Sequence, residues 1–225
     1  AIEGPAWWRI LYLYPSILRD DVLEEIAGND RIVNYVDLPL QHMSNPMLQR
    51  MRRGINAERQ HALLERIRDV VPDVALRTTL ITGFPGETEE DHAATAALMR
   101  DVRFGMAYVF KYSPRPGTAA HRLADDVPDD VKKRRHAELL GIQGRVQLVA
   151  NRALAGTEVE ILVEGRAARP LKTPGRKTAD DVPTWTGRTR TGRIAVYRAG
   201  RDLSGRLARV RVREATALTL IGELV

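Results

Sequence analysis

A parallel α/β unit followed by a small all-β barrel is the fold this sequence predicts, and three observations predict it. Across the first 150 residues, β-rich runs alternate with stretches of helical spacing, the pattern of a parallel sheet with crossover helices. After Gly156 the helical spacing stops, and short β-rich runs follow one another with glycines between them, as in a small antiparallel barrel. Charge changes at the same place. Residues 1–150 hold 20 Lys+Arg against 21 Asp+Glu, a net of −1, whereas residues 151–225 hold 15 against 8, a net of +7. Two domains are therefore expected, 1–150 and 151–225. The first is either a doubly wound sheet or part of a (β/α) barrel.

The elements follow in order. Trp8-Arg9-Ile10-Leu11-Tyr12-Leu13-Tyr14 is expected as a strand closed by Pro15, and Asp20–Ala27 as a short helix stopped by Gly28. Tyr35–Leu40 is the next strand, with Pro39 marking its end. Asn45-Pro46 places a capping residue before a proline at the first helical position, with Met47, Leu48 and Met51 as the buried stripe before Gly54. Asn56 can cap a helix in which Leu63, Leu64, Ile67, Val70 and Val71 recur up to Pro72. Val74–Thr82 is the third strand; Gly83-Phe84-Pro85-Gly86 then turns into a helix opened by the acidic run Glu87–Asp91 and reaching about Arg103. Met106–Tyr112 is the fourth strand, and a long helix runs from Pro128 toward Ala150. Beyond Gly156, Thr157–Val163, Ala195–Tyr197, Leu207–Val212 and Ala217–Leu224 are expected as strands, with a basic, Pro-containing loop at 165–183.

Composition excludes several classes. With 225 residues and 44% hydrophobic content a real core can form. There is no cysteine, so a disulfide scaffold, a zinc finger or a thiolate-held cluster on these residues is excluded. No run approaches the ~18 apolar residues of a membrane span and no signal peptide opens the chain; a cytoplasmic protein with no membrane partner is expected. The formal charge of +6 sits in the last third, which suits a polyanion such as nucleic acid, or else a solvated basic surface. The five histidines are scattered without metal-ligand spacing. His61 and His136 are expected as surface or structural residues, and no metal site is predicted.

Chemistry is concentrated at the strand ends. Thr78–Thr88 feeds a strand through a glycine turn into a helix, which is expected to leave backbone N–H groups free for a ligand at the carboxyl end of the sheet. Gln41-His42 and Lys111–Thr118 close two neighbouring strands, so polar groups from three strand ends can rim one cavity. The simpler reading of the glycines is a bend.

Four segments carry a family resemblance: Leu38-Pro39-Leu40-Gln41, Met51-Arg52-Arg53-Gly54, Ile81–Thr88 and Tyr112–Thr118. In order and spacing they resemble the methylthiotransferases of the radical S-adenosylmethionine superfamily. Thr186–Arg190 and Glu214–Gly222 resemble the TRAM domain, a small OB-like barrel that ends these enzymes. The resemblance implies a partial (β/α) radical S-adenosylmethionine barrel with a small C-terminal all-β barrel. It also implies S-adenosylmethionine, cleaved reductively at a [4Fe–4S] cluster held by three cysteines to give a 5′-deoxyadenosyl radical, a second cluster in an N-terminal domain, and an electron donor. This chain lacks both cysteine sets. It is expected as a segment of a longer enzyme, inactive by itself, whose exposed Trp8–Tyr14 edge favours self-association.

The resemblance further implies that Gly83–Glu87 lies near the adenine and ribose of S-adenosylmethionine, with Gln41, Arg77 and Thr79 directed toward the same cavity. Two substrates occur in the family: an isopentenyl-type adenosine beside the tRNA anticodon, and an aspartate of ribosomal protein S12. The front half of this chain resembles the ribosomal-protein branch and the back half the tRNA branch. Charge favours tRNA, with Arg188, Arg190 and Arg193 expected to bind RNA around a tight turn. A non-catalytic RNA-binding module is the further alternative.

Overall fold

The computed structural model describes residues 7–168 and 182–225. The chain divides into two compact units, Ala1–Val146 and Gln147–Val225. In the first, β1 (Tyr35–Gln41), β2 (Ala75–Thr82) and β3 (Met106–Lys111) form a parallel sheet in that order. α1 (Asp20–Gly28) precedes β1, α2 (Asn45–Arg50) and α3 (Ala57–Val70) lie between β1 and β2, α4 (Glu89–Val102) lies between β2 and β3, and α5 (Asp129–Arg152) follows β3.

Side chains alternate across a strand, and here the alternation separates a core from a cavity wall. Val36, Leu38 and Leu40 of β1, Leu76 and Leu80 of β2, and Ala107 and Val109 of β3 pack against Leu23, Ile26, Leu64, Ile67, Leu98 and Met99 from the helices. Asp37, Gln41, Arg77, Thr79, Ile81, Tyr108 and Phe110 alternate with them and so face the other way. Tyr108 and Phe110 remain 44% and 54% exposed. A parallel sheet is ordinarily covered on both faces; within this unit the helices cover one.

Helix starts follow the sequence closely. Thr88 caps α4 in a reciprocal box with Asp91, and the Asn56 side chain accepts the Arg59 N–H at 2.9 Å at the start of α3. α2 differs. Its cap is Ser44, and the Asn45 side chain instead accepts the Ala57 N–H at 2.7 Å, tying one helix start to the next.

Two strand expectations are corrected. Trp8–Tyr14 is not a strand: Trp8 makes one isolated bridge to Ile32, and Tyr12 takes φ +60°. The cause is Asp37, whose carboxylate accepts the Tyr12 N–H at 3.1 Å while its carbonyl accepts Leu13 N–H at 2.9 Å. The hydrophobic strand edge expected there is absent. Nor does Pro39 end β1, which continues to Gln41 through a register shift between Leu38 and Gln41. Proline has no N–H for the ladder, and the Thr78 hydroxyl fills in, donating to Leu38 O at 2.8 Å and accepting Leu40 N–H at 3.4 Å.

The second unit contains a closed five-stranded barrel of β4 (Glu158–Arg166), β5 (Thr184–Thr189), β6 (Ile194–Arg198), β7 (Leu207–Ala215) and β8 (Thr219–Leu224), in the order β4-β5-β6-β8-β7. Ile161, Val163, Trp185, Ala195, Tyr197, Val210, Val212 and Leu220 fill it. The expected all-antiparallel pairing is corrected at β6 and β8, which run parallel, and β5 is a strand the sequence reading lacked. Gly187 lies within that segment, and a Cβ there would come within 2.5 Å of the Leu162 carbonyl oxygen. The glycine is what lets β5 approach β4. Most of the predicted 165–183 loop, residues 169–181, falls outside the described residues; Gly165 and Arg166 belong to β4. Among the described residues no helix is long and apolar enough to cross a membrane.

Candidate functional site

At the carboxyl ends of the three parallel strands lies a cavity of about 540 Å³, within the range typical of small-molecule sites. Gln41 ends β1, Thr79 and Ile81 come from β2, Phe84 from the turn after β2, and Phe110 and Tyr112 from the end of β3; all line it. Phe84 and Tyr112 meet edge to face, with centroids 5.0 Å apart and planes at 70°, which fixes an apolar wall. Gln41 adopts φ +72°, an uncommon conformation for a residue with a Cβ, and it sits just beyond the register shift of β1. Gln41, Thr79, Ser113 and Thr118, with the cations Lys111 and Arg115, set polar groups beside the aromatic and aliphatic ones, a lining that suits a ligand with a polar part and a flat apolar part.

Arg77 lies deeper on the same face. It is paired in register with Asp37, whose Oδ2 takes a hydrogen bond from Nη1 at 2.6 Å. Its guanidinium lies 4.4 Å from the Tyr108 ring centroid and 5.6 Å from that of Tyr12. The helix-covered face, which would have removed Arg77 from the site, is not where it sits. Nor does it line the 540 Å³ cavity. Its charge is met by Asp37, so it organises the wall below the cavity.

The glycine turn does something other than expected. Three of its N–H groups are occupied: Gly83 N–H donates to Glu87 Oε2 at 2.5 Å, Gly86 N–H to Asp126 Oδ1 at 2.7 Å, and Glu87 N–H to Phe84 O at 2.9 Å. Gly83 and Gly86 have φ +72° and +78°, and a Cβ on either would collide with the Lys132 or the Arg50 side chain. Glu87 is buried. Its carboxylate also takes Nη1 of Arg135 at 2.7 Å and Nε2 of His42 at 2.9 Å. Burial opposes its charge, but the hydrogen bonds from His42 and Gly83 and the nearby Arg135 hold the carboxyl below its ordinary value. Since Ser44 N–H donates to Nδ1 of His42 at 3.0 Å, the imidazole proton sits on Nε2, facing Glu87. Gly83 and Glu87 are thus hydrogen-bonded within the protein, and of the residues expected near the cofactor Gln41 and Thr79 line the cavity. Phe84 and Tyr112 were present in the recognised segments; their pairing was invisible because it joins residues far apart in sequence.

The three predicted RNA-binding arginines also separate. Arg188 Nε donates to Glu164 at 2.8 Å on the barrel surface. Arg193 is drawn inward: Nε donates to Asn151 Oδ1 at 3.0 Å and Nη1 to Thr191 Oγ1 at 2.7 Å. Side-chain hydrogen bonds and partial burial define its surroundings. Arg190 lies in the β5–β6 turn, partly buried.

A profile of the Radical SAM superfamily matches residues 2–99. The chain is 36% identical over 228 residues to a ribosomal protein uS12 methylthiotransferase of Geobacter sulfurreducens, covering 100% of this chain and 49% of that one. It is 40% identical over 220 residues to a tRNA-2-methylthio-N(6)-dimethylallyladenosine synthase of Carboxydothermus hydrogenoformans, covering 97% and 48%. The same enzyme of Syntrophomonas wolfei is 40% identical over 224 residues, covering 100% and 48%. The chain spans about half the length of the curated relatives it matches. Among solved structures, coproporphyrinogen III oxidase from Escherichia coli, described as a radical SAM enzyme, aligns with 17% identity and a TM-score of 0.48 over 81% of this chain and 45% of that one.

Proposed function

The chain belongs to the radical S-adenosylmethionine methylthiotransferase family, and from that premise we propose that it forms one half of an enzyme adding a methylthio group to an isopentenyl-type adenosine beside the tRNA anticodon. The observation that carries the reading is the cavity at the strand ends, where Gln41 and Thr79 present polar groups beside the Phe84–Tyr112 pair. Those residues fit S-adenosylmethionine. Phe84 and Ile81 would lie against the adenine, and Gln41 and Thr79 would take the polar groups. Bound S-adenosylmethionine supplies the radical chemistry of the family.

What this chain's own residues do is bind and position. The Glu87–Arg135–His42 network holds the turn that carries Phe84, and the Arg77–Asp37 pair stiffens the sheet face beneath it. An iron–sulfur cluster does not fit these residues. The 225 residues include no cysteine, and among the described residues no group of three or more His, Asp or Glu side chains is placed to hold a metal. Cluster ligands and the electron donor are assigned outside these residues, and this chain alone is expected to have no turnover.

The tRNA substrate is supported by the net +7 of residues 151–225. The match to uS12 methylthiotransferases over the full chain favours the second reading, a ribosomal-protein aspartate. Calorimetric titration of the chain with S-adenosylmethionine tests the core of the proposal. One saturable site is expected, weakened about tenfold by Phe84→Ala, a loss of about 1.4 kcal/mol. No saturable binding by the folded chain, or identical binding by the variant, overturns it.

A further inference from the structure

We infer that an RNA strand docks on the first unit itself, its phosphates lying in an arginine-lined groove that opens into the strand-end cavity. This rests on the tRNA reading above and names the surface that would serve it. The groove is made of three adjoining hollows. The 540 Å³ cavity shares Gln41, Ile81, Phe84, Thr118 and Ala120 with a second of about 370 Å³, and that one shares Arg52 and Arg53 with a third of about 510 Å³ reaching Arg59.

Charge selects the occupant. Arg50, Arg52, Arg53, Arg59, Lys111 and Arg115 line the three hollows, and no Asp or Glu is among the lining residues. The first 150 residues carry more acid than base, so an acid-free basic groove there is a local arrangement, not a reflection of composition. Elsewhere in the unit, Arg19, Arg66, Arg77, Arg100, Arg134 and Arg135 each contact a carboxylate, and of the lining cations Lys111 does so too, reaching Asp129 at 3.5 Å. Among the described residues, none of Arg50, Arg52, Arg53, Arg59 and Arg115 has such a partner. Arg53 is held in place by Pro39 O at 2.7 Å and by the Tyr14 ring at 4.6 Å, and its Nε is buried with no acceptor. Guanidinium groups without carboxylates are what phosphate oxygens neutralise. A basic ribosomal protein would meet repulsion in the same place. At the cavity end, Phe110 and Tyr112 offer aromatic surface for an unpaired base.

The test is fluorescence anisotropy of a labelled RNA hairpin with an unpaired loop, titrated with the full chain over a salt series. Arg52→Glu and Arg59→Glu are compared with Arg66→Glu, which makes the same charge change at a residue paired with Asp20 outside the groove. Each groove variant is expected to weaken binding about tenfold at low salt and to lower the salt slope by about 1, with Arg66→Glu changing far less. Circular dichroism melts confirm that all three are folded, and Arg115→Ala stands in for any that is not. RNA binding with the same slope in wild type and groove variants overturns the groove while leaving the tRNA reading standing. Absence of RNA binding at low salt, with capture of ribosomal protein S12 instead, overturns both.

Discussion

Residues 151–225 hold the excess positive charge of the chain, and residues 1–150 are slightly acidic, yet the arginine-lined groove with no acid in its lining lies in the first unit. In the barrel, Arg188, Arg211 and Arg213 face Glu164, Glu158 and Glu223, and Arg193 is bound to Asn151. In the first unit five arginines without a carboxylate partner share one groove. Net charge sets the long-range field that draws a polyanion in. Contact affinity depends on which cations still lack a partner, and that is a property of packing, not of composition.

The largest effect that would sharpen this contrast is in the interior of the first unit. Arg135→Ala leaves Glu87 buried with one cation fewer, and about 3–5 kcal/mol of destabilisation is expected in urea unfolding. An unfolding midpoint equal to that of the wild type would overturn the role given to this ion pair.

Acid should then divide the two regions. Glu89 is held at about 2 by Arg134 and Arg135, and Glu87 is lowered as well. A carboxyl lowered on folding stabilises the protein above its unfolded value and loses that contribution as pH falls through the folded one. The first unit is therefore expected to lose stability progressively from about pH 4.5 toward pH 2, checked by near-ultraviolet circular dichroism. Glu87→Gln should flatten that dependence.

Smaller effects are expected in the barrel. Arg193→Ala removes hydrogen bonds from partly buried Asn151 and Thr191 and should cost about 1–2 kcal/mol, with RNA affinity changed much less than by Arg52→Glu. Arg188→Ala, which opens an exposed pair with Glu164, should cost at most about 1 kcal/mol. If Arg188→Ala weakened RNA binding more than the groove variants do, the contrast between composition and arrangement would be reversed.

Helices and parallel strands of the first unit were legible because each has a local signature. Thr88 with Asp91 and Asn56 with Arg59 N–H are contacts three residues apart. Trp8–Tyr14 misled because its β-rich composition says nothing of Asp37, 25 residues on from Tyr12, whose carboxylate bends it. Gly187 misled for the converse reason: a glycine inside a strand looks like an interruption until the neighbouring carbonyl is seen. In the site, Gln41 is legible as a strand-end residue, where parallel sheets place ligands, whereas Thr79 enters only through the family resemblance. The ion pairs of Glu87 were not legible, because its partners His42 and Arg135 come from other elements. The groove was out of reach, because a list of arginines does not show which of them have carboxylate neighbours.

Asn151 gives the barrel a chemical clock. Its amide donates from Nδ2 to the carbonyls of Thr216 and Ala217, at 2.9 and 3.1 Å, and accepts Arg193 Nε on Oδ1. No other side chain of similar size both donates and accepts in that orientation. Deamidation would replace the donor with a carboxylate oxygen, setting negative charge against two carbonyl oxygens while strengthening the contact to Arg193. Ageing of this one residue by hydrolysis would therefore loosen the β7–β8 turn from the end of α5, while the strand ladders that close the barrel do not depend on it.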